Sequence, residues 1–119
     1  MNRETQKPVL AVLGPTASGK TALALQLASR FGGEIVNCDS RQVYREMCIG
    51  TARPSAEEMQ KAPHHLFDLI SPQQSFSAAD YANAAIDCIR HIWNRKNIPV
   101  LTGGTGFYYS ALAEGLGKA

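Results

Sequence analysis

Three short segments along the chain have the pattern of strands in a parallel sheet. Val9–Leu13 is apolar throughout, and a continuous apolar run of this length is typical of a strand that helices cover on both faces. Glu34–Cys38 and Ile98–Thr102 are two further short segments of this kind. The sequence therefore predicts three strands at these positions.

Apolar residues at helical spacing and helix-start signals predict four helices between and after these strands. The first helix is predicted at Gly19–Phe31 and the longest at Ser77–Lys96, with a short helix at Ser55–Lys61 and a last one at Phe107–Glu114. Two stripes are predicted to face the core. They are Leu23, Leu27 and Phe31, with Ala24 and Ala28 beside them, in the first helix, and Ala82, Ala85, Ile86, Ile89, Ile92 and Trp93 in the longest.

A glycine-rich octapeptide joins the first strand to the first helix. Its residues are Gly14, Pro15, Thr16, Ala17, Ser18, Gly19, Lys20 and Thr21, which match a phosphate-binding loop. The glycines let the backbone approach an anion, and the following helix offers unpaired N–H groups and the positive end of its dipole. Lys20 adds a cation, and the Thr21 hydroxyl suits Mg²⁺. The motif predicts a phosphate site with a magnesium ion.

The order of the elements then defines the fold class. Strands and helices alternate, apart from an irregular crossover at Pro63–Gln74, and this alternation predicts parallel strands with right-handed crossovers. With its loop, the chain is predicted to be an α/β protein of the P-loop nucleoside triphosphate hydrolase type, with helices on both faces of the sheet. Three strands are few for such a sheet. Residues 1–119 are therefore expected to form one partial domain, the N-terminal part of a longer enzyme.

Polar residues follow the second and third strands. Asp39 and Ser40 come directly after the second strand, where α/β sheets carry their ligand groups. Asp39 is predicted to act as a general base or to hold Mg²⁺ through water, and the alternative is that it only caps the next segment. Gly103–Gly106 follows the third strand and includes Thr105, which is either a substrate contact or part of a glycine turn needed for tight packing. This strand lacks the acidic residue of Walker-type NTPases, which lowers the expectation of ATP hydrolysis.

Other residues with reactive side chains have simpler explanations. His64 and His65 are adjacent, and adjacent residues rarely ligate one metal ion together. Trp93 is predicted to belong to the core. Tyr108 and Tyr109 are predicted either to stack on a base or to pack the last helix.

Composition narrows the class of protein. Hydrophobic residues make up 45% and charged residues 18%, as in an ordinary globular protein, and the net charge of +2 neither indicates nor excludes nucleic acid. Three widely spaced cysteines favour free thiols in a reducing compartment. No apolar run approaches the roughly 20 residues that cross a bilayer, and the N-terminus lacks a signal-peptide pattern. A cytoplasmic protein without membrane contact is expected.

The ordered motifs resemble those of the tRNA dimethylallyltransferases, also called tRNA isopentenyltransferases. Besides the phosphate loop they are Asp-Ser-Arg-Gln-Val-Tyr-Arg at 39–45, Ile-Gly-Thr-Ala-Arg-Pro-Ser at 49–55, Pro-His-His-Leu at 63–66, Phe-Ser-Ala-Ala-Asp-Tyr at 76–81 and Gly-Gly-Thr-Gly-Phe-Tyr at 103–108. The resemblance runs from about Val9 to Leu116. It implies transfer of a dimethylallyl group from dimethylallyl diphosphate to N6 of an adenosine beside the anticodon of tRNA.

The resemblance also implies a role for each candidate residue. The loop Gly14–Thr21 would hold the diphosphate of the prenyl donor, with Mg²⁺ at Thr21, and would neutralise a leaving group. Asp39 would accept the proton of the attacking adenine amine, after the base has left its stack. The residues on the side of the tRNA would be Ser40, Arg41, Gln42 and Thr105, with Thr105 at the target nucleotide.

Length is the serious departure from this family, whose members are well over twice as long. We therefore expect this chain to be inactive alone, to lack the helical insertion that grips tRNA, and to leave its first strand at an exposed edge of the sheet. The full-length enzyme is expected to be a monomer. Two alternatives stay open: a small-molecule or nucleotide kinase that uses the loop with ATP, and a non-catalytic diphosphate-binding module.

Overall fold

A computed structural model describes residues 8–13, 20–39, 56–67, 69, 71, 73–103 and 106–118. The elements within these ranges alternate as predicted. The strands are β1 (Leu10–Leu13), β2 (Gly33–Asn37), β3 (His64–His65) and β4 (Ile98–Gly103), and the helices are α1 (Lys20–Phe31), α2 (Ala56–Lys61), α3 (Ala78–Asn94) and α4 (Gly106–Lys118).

The strands form one parallel sheet in the order β1-β4-β2-β3. The prediction of three strands is wrong by one, because β3 lies in the stretch that was expected to be an irregular crossover. Its residues His64 and His65 pair with Ile35 and Val36 of β2. Two adjacent histidines carry no strand periodicity, so this strand arises from its pairing with β2 and not from a local sequence preference.

Within the described sheet, β1 is the terminal strand on one side and pairs with β4 alone. This is the edge position expected for the first strand. Val12 is buried against the α1 side of the sheet, whereas Ala11, which points to the other face, is exposed. The prediction that this strand is covered on both faces is therefore wrong for Ala11, because α3 and α4 lie over the strands beyond it.

Helices cover the two faces of the sheet with separate apolar layers. Successive strand residues point to opposite faces, so Ile35 and Val100 face α1 whereas Val36 and Leu101 face α3 and α4. The core on the α1 side comprises Val12, Ala24, Ala28, Ile35, Ala62 and Val100. The larger core on the other side comprises Val36, Cys38, Tyr81, Ala85, Ile89, Ile92, Leu101, Tyr108 and Leu112.

The buried stripe of α1 differs from the predicted one. Ala24 and Ala28 are 1% and 2% exposed, whereas Leu23 and Phe31 are 48% and 51% exposed. Leu27 is partly buried against the core. Hydrophobic periodicity favours the larger side chains, but a helix that lies close to a sheet needs small ones at the contact.

The longest helix, α3, has the predicted inner stripe. Ala82, Ala85, Ile89 and Ile92 are buried, and Ile86 and Trp93 pack partly against the same core. A capping box starts the helix, in which the Ser77 hydroxyl accepts from the Asp80 N–H and the Asp80 carboxylate accepts from the Ser77 N–H, both at 3.0 Å. Both signals are local in sequence, which explains why α3 is the most predictable element.

A buried carboxylate joins the elements at the amino end of the sheet. Glu34 is 2% exposed and accepts hydrogen bonds from Arg95 at 2.6 and 3.0 Å, from Asn97 at 2.7 Å and from His65 at 2.7 Å. Glu34 thereby links β2 to β3 and to the turn between α3 and β4. Sequence reasoning missed this cluster because the partners are 31 to 63 residues away from Glu34.

We expect this cluster to make stability depend on pH. The hydrogen bonds from Arg95 are the main cause that lowers the pKa of Glu34 from 4.5 to about 2. A group with a lowered pKa stabilises the fold when ionised, so its contribution is complete above about pH 5 and is lost as the pH falls towards 2. The shift corresponds to up to about 3 kcal/mol. The measurement is the free energy of unfolding in urea, as a function of pH, for the natural chain and for Glu34→Gln.

The glutamine variant should be the less stable protein at neutral pH, and the difference between the two proteins should shrink as the pH falls. A difference that stays constant from neutral pH to pH 3 would contradict this role of Glu34.

Candidate functional site

Three neighbouring strands end side by side at the carboxyl edge of the sheet. Leu13 of β1 pairs with Gly103 of β4, and Thr102 of β4 pairs with Asn37 of β2. The phosphate-binding motif begins directly after Leu13 in the sequence, and Asp39 comes two residues after Asn37. The topology therefore brings the strands that carry the three candidate motifs to one edge, with β4 between the other two.

Several predicted site residues lie outside the described part of the chain. They are Gly14, Pro15, Thr16, Ala17, Ser18, Gly19, Ser40, Arg41, Gln42 and Thr105. The backbone of Lys20 and Thr21 forms the start of α1, but their side chains are not described. The roles predicted for these residues stay predictions.

Asp39 is the predicted catalytic residue that the structure describes. It is 6% exposed. Its N–H donates to Oδ1 of Asn37 at 2.9 Å, and its carbonyl accepts from Nδ2 of Asn37 at 3.0 Å. The same Nδ2 donates to the carbonyl of Leu66 at 3.0 Å. Asp39 is thus a buried carboxylate on a backbone held from both sides, and Asn37 is a site residue that sequence reasoning missed.

Gly103 allows the ends of β4 and β2 to approach each other. Its φ is +155°, and a Cβ there would lie 2.5 Å from the carbonyl carbon of Cys38, 2.6 Å from its oxygen and 2.8 Å from the nitrogen of Asp39. The Cys38 N–H donates to the Thr102 carbonyl at 2.8 Å. Tight packing against the backbone of Cys38 and Asp39 therefore explains the glycine at position 103.

The first turns of α3 and α4 meet behind Cys38. Tyr108 is 4% exposed and stacks on Tyr81 with ring centroids 4.3 Å apart, and its hydroxyl donates to the Phe76 carbonyl at 3.3 Å. Tyr108 is therefore a packing residue, whereas Tyr109 is 38% exposed. Cys38 belongs to the same core, and burial raises the pKa of its thiol, which favours the neutral form.

The adjacent histidines His64 and His65 donate hydrogen bonds to a backbone carbonyl and to a carboxylate, respectively. Nδ1 of His64 donates to the Ala62 carbonyl at 2.8 Å, and Nε2 of His65 donates to Glu34. Partial burial lowers the pKa of His64. Among the described residues, no three His, Cys, Asp or Glu side chains are grouped as a metal ion would require. None of the described helices is long and apolar enough to span a membrane.

The fold and the motif order define the class of protein. A parallel sheet covered by helices on both faces, with a phosphate-loop sequence between β1 and α1, is the P-loop NTPase-like α/β fold. Residues 42–119 also match the family model of the IPP transferases. The chain therefore belongs to the IPP transferase family.

Curated relatives extend this match over nearly the whole chain. The tRNA dimethylallyltransferase of Chromobacterium violaceum is 57% identical over 113 residues, which are 95% of this chain and 34% of the relative. The enzyme of the same name from Koribacter versatilis is 54% identical over 110 residues, or 92% of this chain and 36% of the relative. The chain thus spans about a third of the length of these relatives.

Solved structures show the same fold. The full-length tRNA isopentenylpyrophosphate transferase of Bacillus halodurans aligns with a TM-score of 0.85 and 48% identity, over 89% of this chain and 35% of that protein. A eukaryotic dimethylallyltransferase acting on tRNA aligns with a TM-score of 0.84 and 33% identity, over 89% of this chain and 26% of that protein.

Proposed function

We propose that this chain is the donor-binding and base-bearing part of an enzyme that prenylates tRNA. The reaction transfers a dimethylallyl group from dimethylallyl diphosphate to N6 of an adenosine beside the anticodon. The observation that carries the proposal is the carboxyl edge of the sheet, where the buried Asp39 follows β2 and the phosphate-loop motif follows β1. The names of the relatives, which are tRNA dimethylallyltransferases, support the choice of donor and acceptor.

Asp39 accepts a proton in this mechanism. The adenine N6 attacks C1 of the dimethylallyl group, a C–N bond forms, and the C–O bond to the diphosphate breaks with its electron pair on the departing oxygen. The N6 proton passes to the Asp39 carboxylate, which later releases it to water. A base at this point prevents a positive charge from persisting on the nitrogen. The low exposure of Asp39 supports the role, because an acceptor shielded from bulk water holds its geometry.

The loop Gly14–Thr21 binds the donor. Backbone N–H groups, the N-terminus of α1 and Lys20 stabilise the negative charge that grows on the departing diphosphate. Thr21 lies in the first turn of α1, and its hydroxyl is an oxygen donor of the kind that Mg²⁺ accepts. A bound Mg²⁺ would supply further charge neutralisation there. β4 has no acidic residue, which favours a leaving diphosphate over phosphoryl transfer.

The acceptor RNA contacts residues that follow Asp39 and Gly103 in the sequence. In the sequence, Ser40, Arg41 and Gln42 follow Asp39 directly, and Thr105 comes two residues after Gly103, the last residue of β4. We assign them to the target nucleotide, which must leave its stack before its N6 reaches a buried carboxylate.

The test compares two donors in one assay. The complete protein encoded by the gene of this chain is incubated with an anticodon stem-loop RNA and either labelled dimethylallyl diphosphate or γ-labelled ATP. In parallel, the same assay uses a chimera in which this chain replaces the matching segment of the Bacillus halodurans relative. We expect prenyl label on the RNA, and none when guanosine replaces the target adenosine.

The 119-residue chain alone should transfer no label. Phosphoryl transfer from ATP to the RNA or to a nucleotide, without prenyl transfer, would overturn the proposal in favour of a kinase.

A further inference from the structure

We propose that Asn37 is the positioning residue of this site, which aims the carboxylate of Asp39 by tying its backbone to the carbonyl of Leu66. The proposal rests on the proposed function, since it requires Asp39 to be the base. It gives a role to a buried polar side chain that lies outside every motif noted in the sequence.

The Asn37 amide connects two segments of the chain. Oδ1 accepts from the Asp39 N–H at 2.9 Å, and Nδ2 donates to the Asp39 carbonyl and to the Leu66 carbonyl, each at 3.0 Å. An amide has two N–H donors and an acceptor oxygen, so this side chain uses both donors. Because the N–H and the carbonyl of Asp39 are both held, its backbone cannot rotate freely, and the direction of its side chain is restricted.

Other side chains do not reproduce this arrangement. An aspartate at position 37 would accept from the Asp39 N–H but would have no hydrogen to donate to the two carbonyls. A serine hydroxyl is a single donor on a shorter side chain. Asn37 is 1% exposed, so water does not replace a lost partner and each unmade hydrogen bond carries its full cost.

The support for this clamp extends to the Pro-His-His-Leu segment. Leu66 has a φ of +69°, a left-handed conformation that is unfavourable for a residue with a Cβ. The residues before it are held by His64 on the Ala62 carbonyl and by His65 on Glu34. This bracing keeps the Leu66 carbonyl within reach of Asn37. The Pro-His-His-Leu segment thus supports the backbone that carries the base from behind.

A purely structural role for Asn37 is the competing explanation, and Asn97 offers a matched control. Asn97 also donates its amide to a buried group of the sheet, Oε2 of Glu34 at 2.7 Å, but at the opposite edge. Asn37→Ala and Asn97→Ala therefore remove the same side chain at opposite ends of the sheet. Both should lower the free energy of unfolding, and only the first should disturb Asp39.

The first measurement uses the 119-residue chain itself. Amide hydrogen exchange is followed by NMR, and the Asp39 N–H should exchange at least about 10-fold faster in Asn37→Ala, since its acceptor is gone. Its exchange should change less than about twofold in Asn97→Ala, after correction for global stability. Unchanged exchange at Asp39 in Asn37→Ala would overturn the clamp.

The second measurement uses the complete protein and single-turnover prenyl transfer. Asn37→Ala should lower kcat about 10- to 100-fold and leave KM for the donor unchanged, because a misplaced catalytic group costs rate without weakening the diphosphate site. Asn37→Ser, which retains one donor, should be intermediate and serves if the alanine variant does not fold. Asn97→Ala should keep the natural kcat.

Asp39→Ala in the same assay separates the two proposals. If this variant is as fast as the natural protein, the base assignment itself fails. If it is inactive while Asn37→Ala and Asn37→Ser keep the natural kcat, the base stands and the positioning role of Asn37 is wrong.

Discussion

Asp39→Asn is expected to slow prenyl transfer by about 10²- to 10⁴-fold, which is the range that a positioned general base contributes. Asparagine has nearly the shape of aspartate, and the clamp by Asn37 holds the backbone of residue 39, so the variant should fold. It cannot accept the N6 proton. The measurement is the single-turnover rate with labelled donor and stem-loop RNA, in the complete protein.

The effect should appear in kcat and not in the affinity for the donor, because the site that we propose for the diphosphate is the loop after β1. Asp87→Asn is the control, since the same change falls on an α3 side chain that is 76% exposed. A rate for Asp39→Asn within a few-fold of the natural rate would remove Asp39 from the chemistry.

Gly103→Ala should have the largest effect on folding. A methyl group at this position would meet the backbone of Cys38 and Asp39 at 2.5 to 2.8 Å, and backbone atoms cannot move aside as the end of a flexible side chain does. We expect a loss of about 3 kcal/mol or more in the free energy of unfolding, from overpacking together with an unfavourable φ. The measurement is urea unfolding of the chain.

Gly32→Ala separates these two causes. Gly32 also has a positive φ, +65°, but a Cβ there would meet nothing within 4 Å. Its replacement should cost only about 1 kcal/mol, the price of left-handed backbone for alanine. Equal losses in the two variants would mean that the contact with Cys38 and Asp39 is unimportant. Any folded Gly103→Ala protein should also prenylate slowly, because the strand end that carries Asp39 must shift.

Local signals made much of this fold predictable. The capping box at Ser77 and the apolar stripe of α3 each depend on residues close together in the sequence. The strand–loop–helix motif likewise predicted β1 and α1. The stripe of α1 was misjudged because the choice between leucine and alanine at the contact depends on how closely the sheet approaches. The strand at His64–His65 was missed because its cause lies in β2.

A candidate site could be predicted from the sequence, but the hydrogen bonds that hold the backbone of Asp39 could not. Asp39 stands out because it follows a strand at the expected end of a parallel sheet. Asn37 does not stand out in the sequence, because its side chain donates a hydrogen bond to the carbonyl of Leu66, which is 29 residues away. Gly103 lies in a motif that the sequence shows, but the need for glycine there comes from the backbone of Cys38 and Asp39, which follow β2.

The position of β4 between β1 and β2 fixes a distance across the candidate site. Neighbouring strands are about 4.8 Å apart, so β1, which precedes the proposed donor loop, and β2, which precedes the proposed base Asp39, are separated by about 10 Å. Backbone hydrogen bonds between the paired strands set this distance. Redesign of the site for a larger acceptor would therefore have to move the base along β2, in steps of about 3.3 Å that also alternate between the faces of the sheet.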